Sequence, residues 1–501
     1  MEQKNKKKIS TQTIIKLLLA VVLLGLSAFL LKGDVWTFWT WWLLAGVMGF
    51  AAMPVTGRLF WRFEDKGWIF SKVLAIAATG FLTWFLTAIR LIPFNALTCA
   101  AVTILCAVIC FFLLRKESKE KTECFPVDRI SLIYWEELLF FLAFLMWTYL
   151  AGFRPAAYGT EKFMDYGFME AMMRSTTLPA RDLWYSEGHI NYYYGGQYFA
   201  VFLTKLSHTK VELTYNLMRT FVAGLAFAMP FSLVYQMMSD RMKGLQKSEK
   251  VIKGLPFAAG FTAGTAVSIA GNMHYVIYAQ IIPLIEKLTG KEVSSYWFPD
   301  ATRYIGYNPY REEDRTIHEF PCYSFVLGDL HAHVVNIMFV LLVIALLYVW
   351  LRGVRKKTVP VETSMKDGKF WKEQLLMPHL LVISALLGMF QWTNFWDFVI
   401  YYVVTLGTVL FANIIRFQGK IKKIMVVTFA QMAEIYLLAY LVILPFTLQF
   451  DTMVDGIGIA KYHSYFYQLL VLWGLPAVFT ITFVISILWE KLRGMEHKSL
   501  Y

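Results

Sequence analysis

The sequence predicts an all-α polytopic membrane protein of about twelve transmembrane helices, with amphipathic interfacial helices in its first outer loop. Three observations predict it. Of 501 residues 57% are hydrophobic and only 17% charged, with a mean hydropathy of +0.50. A soluble chain of this length could not hide so much apolar surface, so lipid must be the solvent for most of it. Apolar runs of spanning length recur at 13–31, 36–53, 69–89, 92–114, 132–151, 212–237, 254–274, 333–352, 378–395, 397–416, 423–447 and 465–489. The third observation is the distribution of the net charge of +13: Lys and Arg sit in short clusters between those runs, as in cytoplasmic loops, rather than along a nucleic-acid-binding face.

The basic clusters are the N-terminal KNKKK, Arg58 to Lys72, Arg115 to Arg129, Arg241 to Lys253, Arg352 to Lys372, Arg416 to Lys423 and the tail from Lys491. An even number of runs separates every pair, so one threading places all of them inside. That threading predicts a plasma-membrane protein with both termini cytoplasmic and its chemistry extracytoplasmic. The basic Met1 to Lys8 and the run from Ile14 to Leu31 resemble a signal peptide in outline. The run is long enough to span and lacks a small-residue cleavage site, so an uncleaved first helix is expected. Cys99, Cys106 and Cys110 fall in one apolar run, Cys124 in a basic loop and only Cys322 in an outer loop, which gives neither a disulfide framework nor a CxxC metal site.

Residues 1–130 form an expected N-terminal bundle of about four spans with few interior polar groups. Residues 131–501 form the functional core, with outer loops near 153–212 and 272–332. His189, His208, His274, His318, His331, His333 and His463 lie outside or at the outer boundary on this threading, against His379 and His497 inside. Imidazole titrates and binds metal near neutral pH, so the chemistry is expected outside.

In the first outer loop, Phe163, Tyr166, Met169 and Met173 recur at helical spacing and predict an amphipathic helix from Lys162 to Arg174 able to lie on a membrane surface. Glu161 and Asp165, four apart, would share a face of it. A second short apolar helix near Gly196 to Leu206 is too short to span. It is expected in the interface, with Tyr192, Tyr193, Tyr194 and Tyr198 at headgroup depth.

This loop, with its acids after a span, an amphipathic helix, a Leu-Pro turn carrying Asp182 and Trp184, and a Tyr-rich lead into the next helix, resembles the first external loop of GT-C glycosyltransferases. More narrowly, NYYYGGQY, HEFPCYSFVLGDLHAH and QWTNFWDF, in that order between Ala151 and Phe398, resemble the "YYY" membrane proteins of the DUF2298 family. The GT-C resemblance implies transfer of a sugar from a polyprenyl-phosphate donor to an acceptor hydroxyl at the outer membrane face. It implies Asp165 or Glu161 as catalytic carboxylate, although this chain has Glu161-Lys162 where those enzymes often carry Asp-Glu. Such a reaction needs a base and cationic stabilisation of the departing phosphate. Arg174, Arg181, Lys205 and Arg219 are the nearest cations, and Asp182, His189, Asn191 and the tyrosines 192–194 complete the expected substrate-binding set. The plainer reading is a solvated amphipathic helix with snorkelling basic residues.

In the second loop, Glu319, Asp329, His331 and His333 offer metal ligands. At least two of the last three converge whether the segment is extended or helical. Asp and His suit Mn²⁺, Zn²⁺ or Fe²⁺, and Mg²⁺ is favoured where carboxylates and a substrate phosphate supply most of the ligands; Mg²⁺ or Mn²⁺ is the expected cation. The alternative is a helix-capping Asp329 with hydrogen-bonded interfacial histidines. Asn394 and Asp397, flanked by Trp392 and Trp396 where two apolar runs meet, are either a deep polar site or an outer hairpin with an aromatic belt. Asp451, Asp455, Lys461 and His463 lie in the last outer loop.

No P-loop, Ser-nucleophile motif, soluble catalytic domain or nucleic-acid module is recognisable. The competing functions are a transporter or flippase of a lipid-linked solute, which predicts ionisable residues within the bilayer and broken, symmetry-related helices, and a non-catalytic scaffold.

Overall fold

The computed structural model describes residues 10–120, 124–244, 249–355, 365–452 and 458–492. The KNKKK stretch, Asp455, the tail with His497 and most of the basic segment after Arg352 lie outside them. In chain order the helices are α1 Thr11–Leu31, α2 Val35–Leu59, α3 Trp68–Ala88, α4 Ala96–Glu120, α5 Ile130–Ala151, α6 Lys162–Arg174, α7 Gly195–Ser207, α8 Val211–Gly244 and α9 Glu249–Ser268. There follow α10 Ile282–Leu288, α11 Pro321–Leu327, α12 Ala332–Val354, α13 Gly368–Leu375, α14 Pro378–Thr393, α15 Phe395–Phe417, α16 Ile421–Thr447 and α17 Phe466–Leu492. Among the described residues no strand forms beyond two isolated bridges. The chain is an all-α polytopic membrane protein.

Every expected run is occupied by a helix, yet nine helical stretches of the described residues are long and apolar enough to span, or ten if α13 and α14, bent by 53°, count as one. The shortfall from twelve has local causes. Thr11–Leu59 is helical over 49 residues with a turn at its middle, where Lys32 takes a φ of 50° and the Trp39 indole donates to the Ser27 hydroxyl at 3.0 Å. Residues twelve apart in a straight helix stand about 18 Å apart, so the chain folds back there into two antiparallel helices. Helix α9 stops at Ser268, and α14 alone has 16 residues.

Two compact units divide the chain. The first comprises Met1–Ile190, Tyr194–Ala228 and Leu330–Leu342. At its centre lies α7, whose residues 195–205 are all buried. Apolar on every side, this helix is packed in protein rather than lying in the interface as its length suggested. The Tyr198 hydroxyl donates to the Gly80 carbonyl at 2.8 Å and the Trp84 indole donates to the Tyr194 hydroxyl at 3.0 Å, so neither tyrosine sits at a headgroup surface. The early helices also bury more polarity than expected. Lys72 is wholly buried and pairs with Glu137 at 2.5 Å, beside buried Asp65 and Glu136. Helix α3 begins at Trp68, so Lys72 falls one turn inside it instead of in the basic loop.

The second unit comprises Asn191–Tyr193, Met229–Asp329 and Val343–Tyr501. Gly388 lets α14 close on α16: a Cβ there would stand 2.6 Å from the Ala439 carbonyl oxygen. Arg241 pairs with Glu490 at 2.7 Å and Arg352 with Asp240 at 3.1 Å, tying α8 to α17 and to α12. Buried Arg416 donates to Gln374 and Asn413 at 2.6 and 3.1 Å.

Candidate functional site

The first unit assembles one polar cluster from three chain segments. Helix α6 has the predicted bounds, but its buried face carries Asp165, Phe168, Met169 and Met172, while Phe163 is exposed. Glu161 stands at the N-cap with φ −95° and ψ 6°, outside helical geometry. The two acids therefore do not share a face: Asp165 is 1% exposed and the Glu161 side chain 60%.

Gln197, in the first turn of α7, bridges the cluster. Its Nε2 donates to Asp165 Oδ1 at 2.7 Å and to the Leu330 carbonyl at 3.0 Å. Two acceptors on one nitrogen fix the amide orientation. Its Oε1 is buried with no donor on it among the described residues. The glycine pair before Gln197 explains how it arrives there. A Cβ on Gly196 would meet Val335 Cβ at 3.2 Å and Ala332 Cα at 3.4 Å, so only glycine lets the start of α7 press against the start of α12.

That contact delivers the histidines. His331 opens α12 by accepting the Val334 amide at 3.1 Å, and its Nε2 lies 3.7 Å from Glu161 Oε2. The His331 and His333 rings stand perpendicular with centroids 5.5 Å apart. From α8, the Tyr215 hydroxyl accepts the Leu330 amide at 3.4 Å, and its ring meets Tyr166 edge-on at 5.8 Å. Burial, reinforced by Glu170, raises the Tyr166 hydroxyl to about 12, so it stays a protonated donor. One turn beyond Tyr215, buried Arg219 donates Nη2 to Asn216 Oδ1 at 2.8 Å.

The other expected cations lie elsewhere. Buried Lys205 donates to the Met173 carbonyl at 2.8 Å and lies over the Phe94 ring at 4.7 Å, with burial lowering its pKa. It thus neutralises the C-terminal end of α6, where Arg174 is exposed. Nine residues separate Asp165 from Arg174, about 13 Å along a helix. Arg181 and His189 are exposed and face each other in an isolated bridge, and Asp182 accepts the amides of Trp184 and Tyr185 at 2.7 and 3.0 Å. These three shape a turn that covers α6.

In the second unit, Asn191 and Asp451 exchange two hydrogen bonds of 3.0 Å, and Tyr193 packs on Phe450 at 5.3 Å beside Tyr192. Glu319 accepts the Ser324 hydroxyl at 2.9 Å, and Asp329 is 2% exposed. The Asn394 side-chain amide, in the break between α14 and α15, donates to Asp397 Oδ2 at 2.9 Å across the first turn of α15.

Sequence reasoning passed over Gln197, Tyr215 and the Lys72–Glu137 pair. Each left a signal, because an amide or a charge inside an otherwise apolar helix is costly unless it has a partner.

Fold and cluster together define a polytopic all-α membrane protein with a buried acid–amide–imidazole assembly. A family model described as an uncharacterized membrane protein, DUF2298, matches residues 78–501, and the chain belongs to that family. No curated protein and no solved structure matches it.

Proposed function

We propose that this protein is a membrane glycosyltransferase of GT-C type, transferring a sugar from a polyprenyl-phosphate donor to an acceptor hydroxyl at the extracytoplasmic face, with both termini cytoplasmic. The observation that carries the reading is the Gln197 bridge, which joins the α6 acid, 32 residues before it, to the DLHAH segment, 133 residues after it. In the proposed reaction the acceptor oxygen bonds to the anomeric carbon as the bond from that carbon to the phosphate oxygen breaks. Asp165 takes the hydroxyl proton, and polyprenyl phosphate leaves with its negative charge held by Arg219. Gln197 holds the acid in place through its side-chain amide.

Glu161 and His331 are the proposed donors for a divalent cation, Mn²⁺ or Mg²⁺, with His333 beside His331 as a further expected ligand; when bound the ion would help neutralise the phosphate. Donors on one ion at about 2.0–2.2 Å stand roughly 3–3.5 Å apart, so the 3.7 Å between Glu161 and His331 suits the role.

Asp165→Asn is expected to lower the host's surface glycoconjugate by about a hundredfold or more, the scale of a lost general base. Glu161→Gln and chelation are expected to lower it less. Unchanged product in both variants would overturn the assignment. A second reading, transport of a lipid-linked solute, is favoured by the pairing of buried Lys72 with half-buried Glu137 and by the bend between α13 and α14. It predicts solute movement in proteoliposomes that is lost in Lys72→Met and retained in Asp165→Asn.

A further inference from the structure

Beside the cluster, the first unit holds an open hollow of about 100 Å³ that the transfer chemistry does not use. It opens between the α1–α2 turn, the end of α5 and the start of α8. Asp34 and Glu212 stand exposed among its lining residues, and Thr37, Thr148, Thr220 and Asn216 supply hydroxyls and an amide. Glu212, Asn216 and Thr220 are spaced by four and so share one face of α8, while Tyr215 and Arg219, also spaced by four, occupy the adjoining face. One helix therefore presents the hollow on one face and the Tyr215 and Arg219 side of the cluster on the face next to it.

Hydrogen bonds fix both the floor of the hollow and its link to the cluster. The Thr148 and Thr220 hydroxyls are 2.9 Å apart, and Thr220 donates to the Leu217 carbonyl at 3.1 Å. Asn216 Nδ2 donates to the Pro155 carbonyl at 2.7 Å, while Asn216 Oδ1 accepts from Arg219 at 2.8 Å. A ligand in the hollow thus lies one side chain away from the guanidinium assigned to the phosphate.

We propose that this hollow binds the acceptor of the transfer, a hydroxyl-rich saccharide group without negative charge; the assignment to the acceptor rests on the transferase reading. Carboxylates and threonine hydroxyls are the groups that accept and donate hydrogen bonds to vicinal hydroxyls. Two carboxylates with no Lys or Arg lining the hollow among the described residues repel an anion, which sets the class. The apolar faces of Ala151, Leu213 and Leu217 suit the C–H face of a sugar ring.

The test is a saturation-transfer NMR titration of the full chain in lipid nanodiscs. The probes are the methyl glycosides of glucose, mannose and galactose, N-acetylglucosamine and, as the anion, methyl glucuronide. At least one neutral probe is expected to bind at least tenfold more tightly than the glucuronide. Combining Asp34→Asn with Glu212→Gln is expected to abolish that discrimination and weaken the neutral probe about tenfold, and Ala151→Phe to block binding by filling the space. Absence of binding by every neutral probe, or binding in both variants equal to wild type, would overturn the proposal. Asp165→Asn is expected to bind the neutral probe within twofold of wild type. Charge-dependent binding together with unaltered glycoconjugate in Asp165→Asn and Glu161→Gln would overturn the transferase reading while leaving the saccharide site standing.

Discussion

Replacing Gln197 by Met removes both hydrogen bonds at nearly constant volume. The bond to Asp165, at 2.7 Å and to a carboxylate, falls in the class worth about 1.5–3 kcal/mol, and the bond to the Leu330 carbonyl in the neutral class worth about 0.5–1.5 kcal/mol. Since both ends are buried, Gln197→Met is expected to destabilise the first unit by roughly 2–4 kcal/mol. A double-mutant cycle with Asp165→Leu isolates the first bond. The coupling energy is expected at about 1.5–3 kcal/mol, roughly ten- to 150-fold in the unfolding constant, read by steric-trap unfolding in bicelles. Gln197→Glu should be worse than Gln197→Met, because it sets a carboxylate against a carboxylate. Coupling below about 0.5 kcal/mol, the level at which independent sites add, would refute the bridge as the element that joins α6 to the DLHAH segment.

Gly196→Val is expected to force α7 off α12 at a cost of about 1–3 kcal/mol, with Gly196→Ala milder, in the same unfolding assay. Lys72→Met should cost about 1–3 kcal/mol by removing the cation from half-buried Glu137, which keeps the Trp42 and Trp68 indole donors, and combining it with Glu137→Leu should recover most of that. Burial lowers the pKa of His274 and His318 in the folded chain, so the unfolded chain binds more protons just below the ordinary histidine value. Stability of the second unit is therefore present above that value and is lost as pH falls through the folded pKa. His274→Gln combined with His318→Gln should flatten a melting-temperature profile between pH 7 and pH 5.

The spans and the limits of α6 were legible because both depend on one-dimensional patterns: run length for the former, helical spacing of Phe163, Tyr166, Met169 and Met173 for the latter. Which face of α6 is buried was not legible. That depends on α7, and α7's own placement could not be read because an apolar helix of 13 residues suits either a membrane interface or a protein core. The tyrosines illustrate the same limit. Their run pointed to headgroups, whereas Tyr194 and Tyr198 spend their hydroxyls on Trp84 and Gly80. Lys72 was assigned to a loop because a lysine within a basic cluster looks solvated, and only Glu137, 65 residues later, makes its burial tolerable.

The distribution of charge along α6 does not by itself argue for catalysis. An acid in the first turn and cations at the last are what the helix dipole favours in any stable helix. What marks Asp165 is its burial together with the Gln197 amide that donates to it, while Lys205 is committed to the far end of the same helix. If the acid served packing alone, Asn at 165 would keep the Gln197 contact, spare the cost of burying a charge, and leave both stability and product intact. The transferase reading requires the opposite split: a chain as stable as wild type or more so, with its product gone.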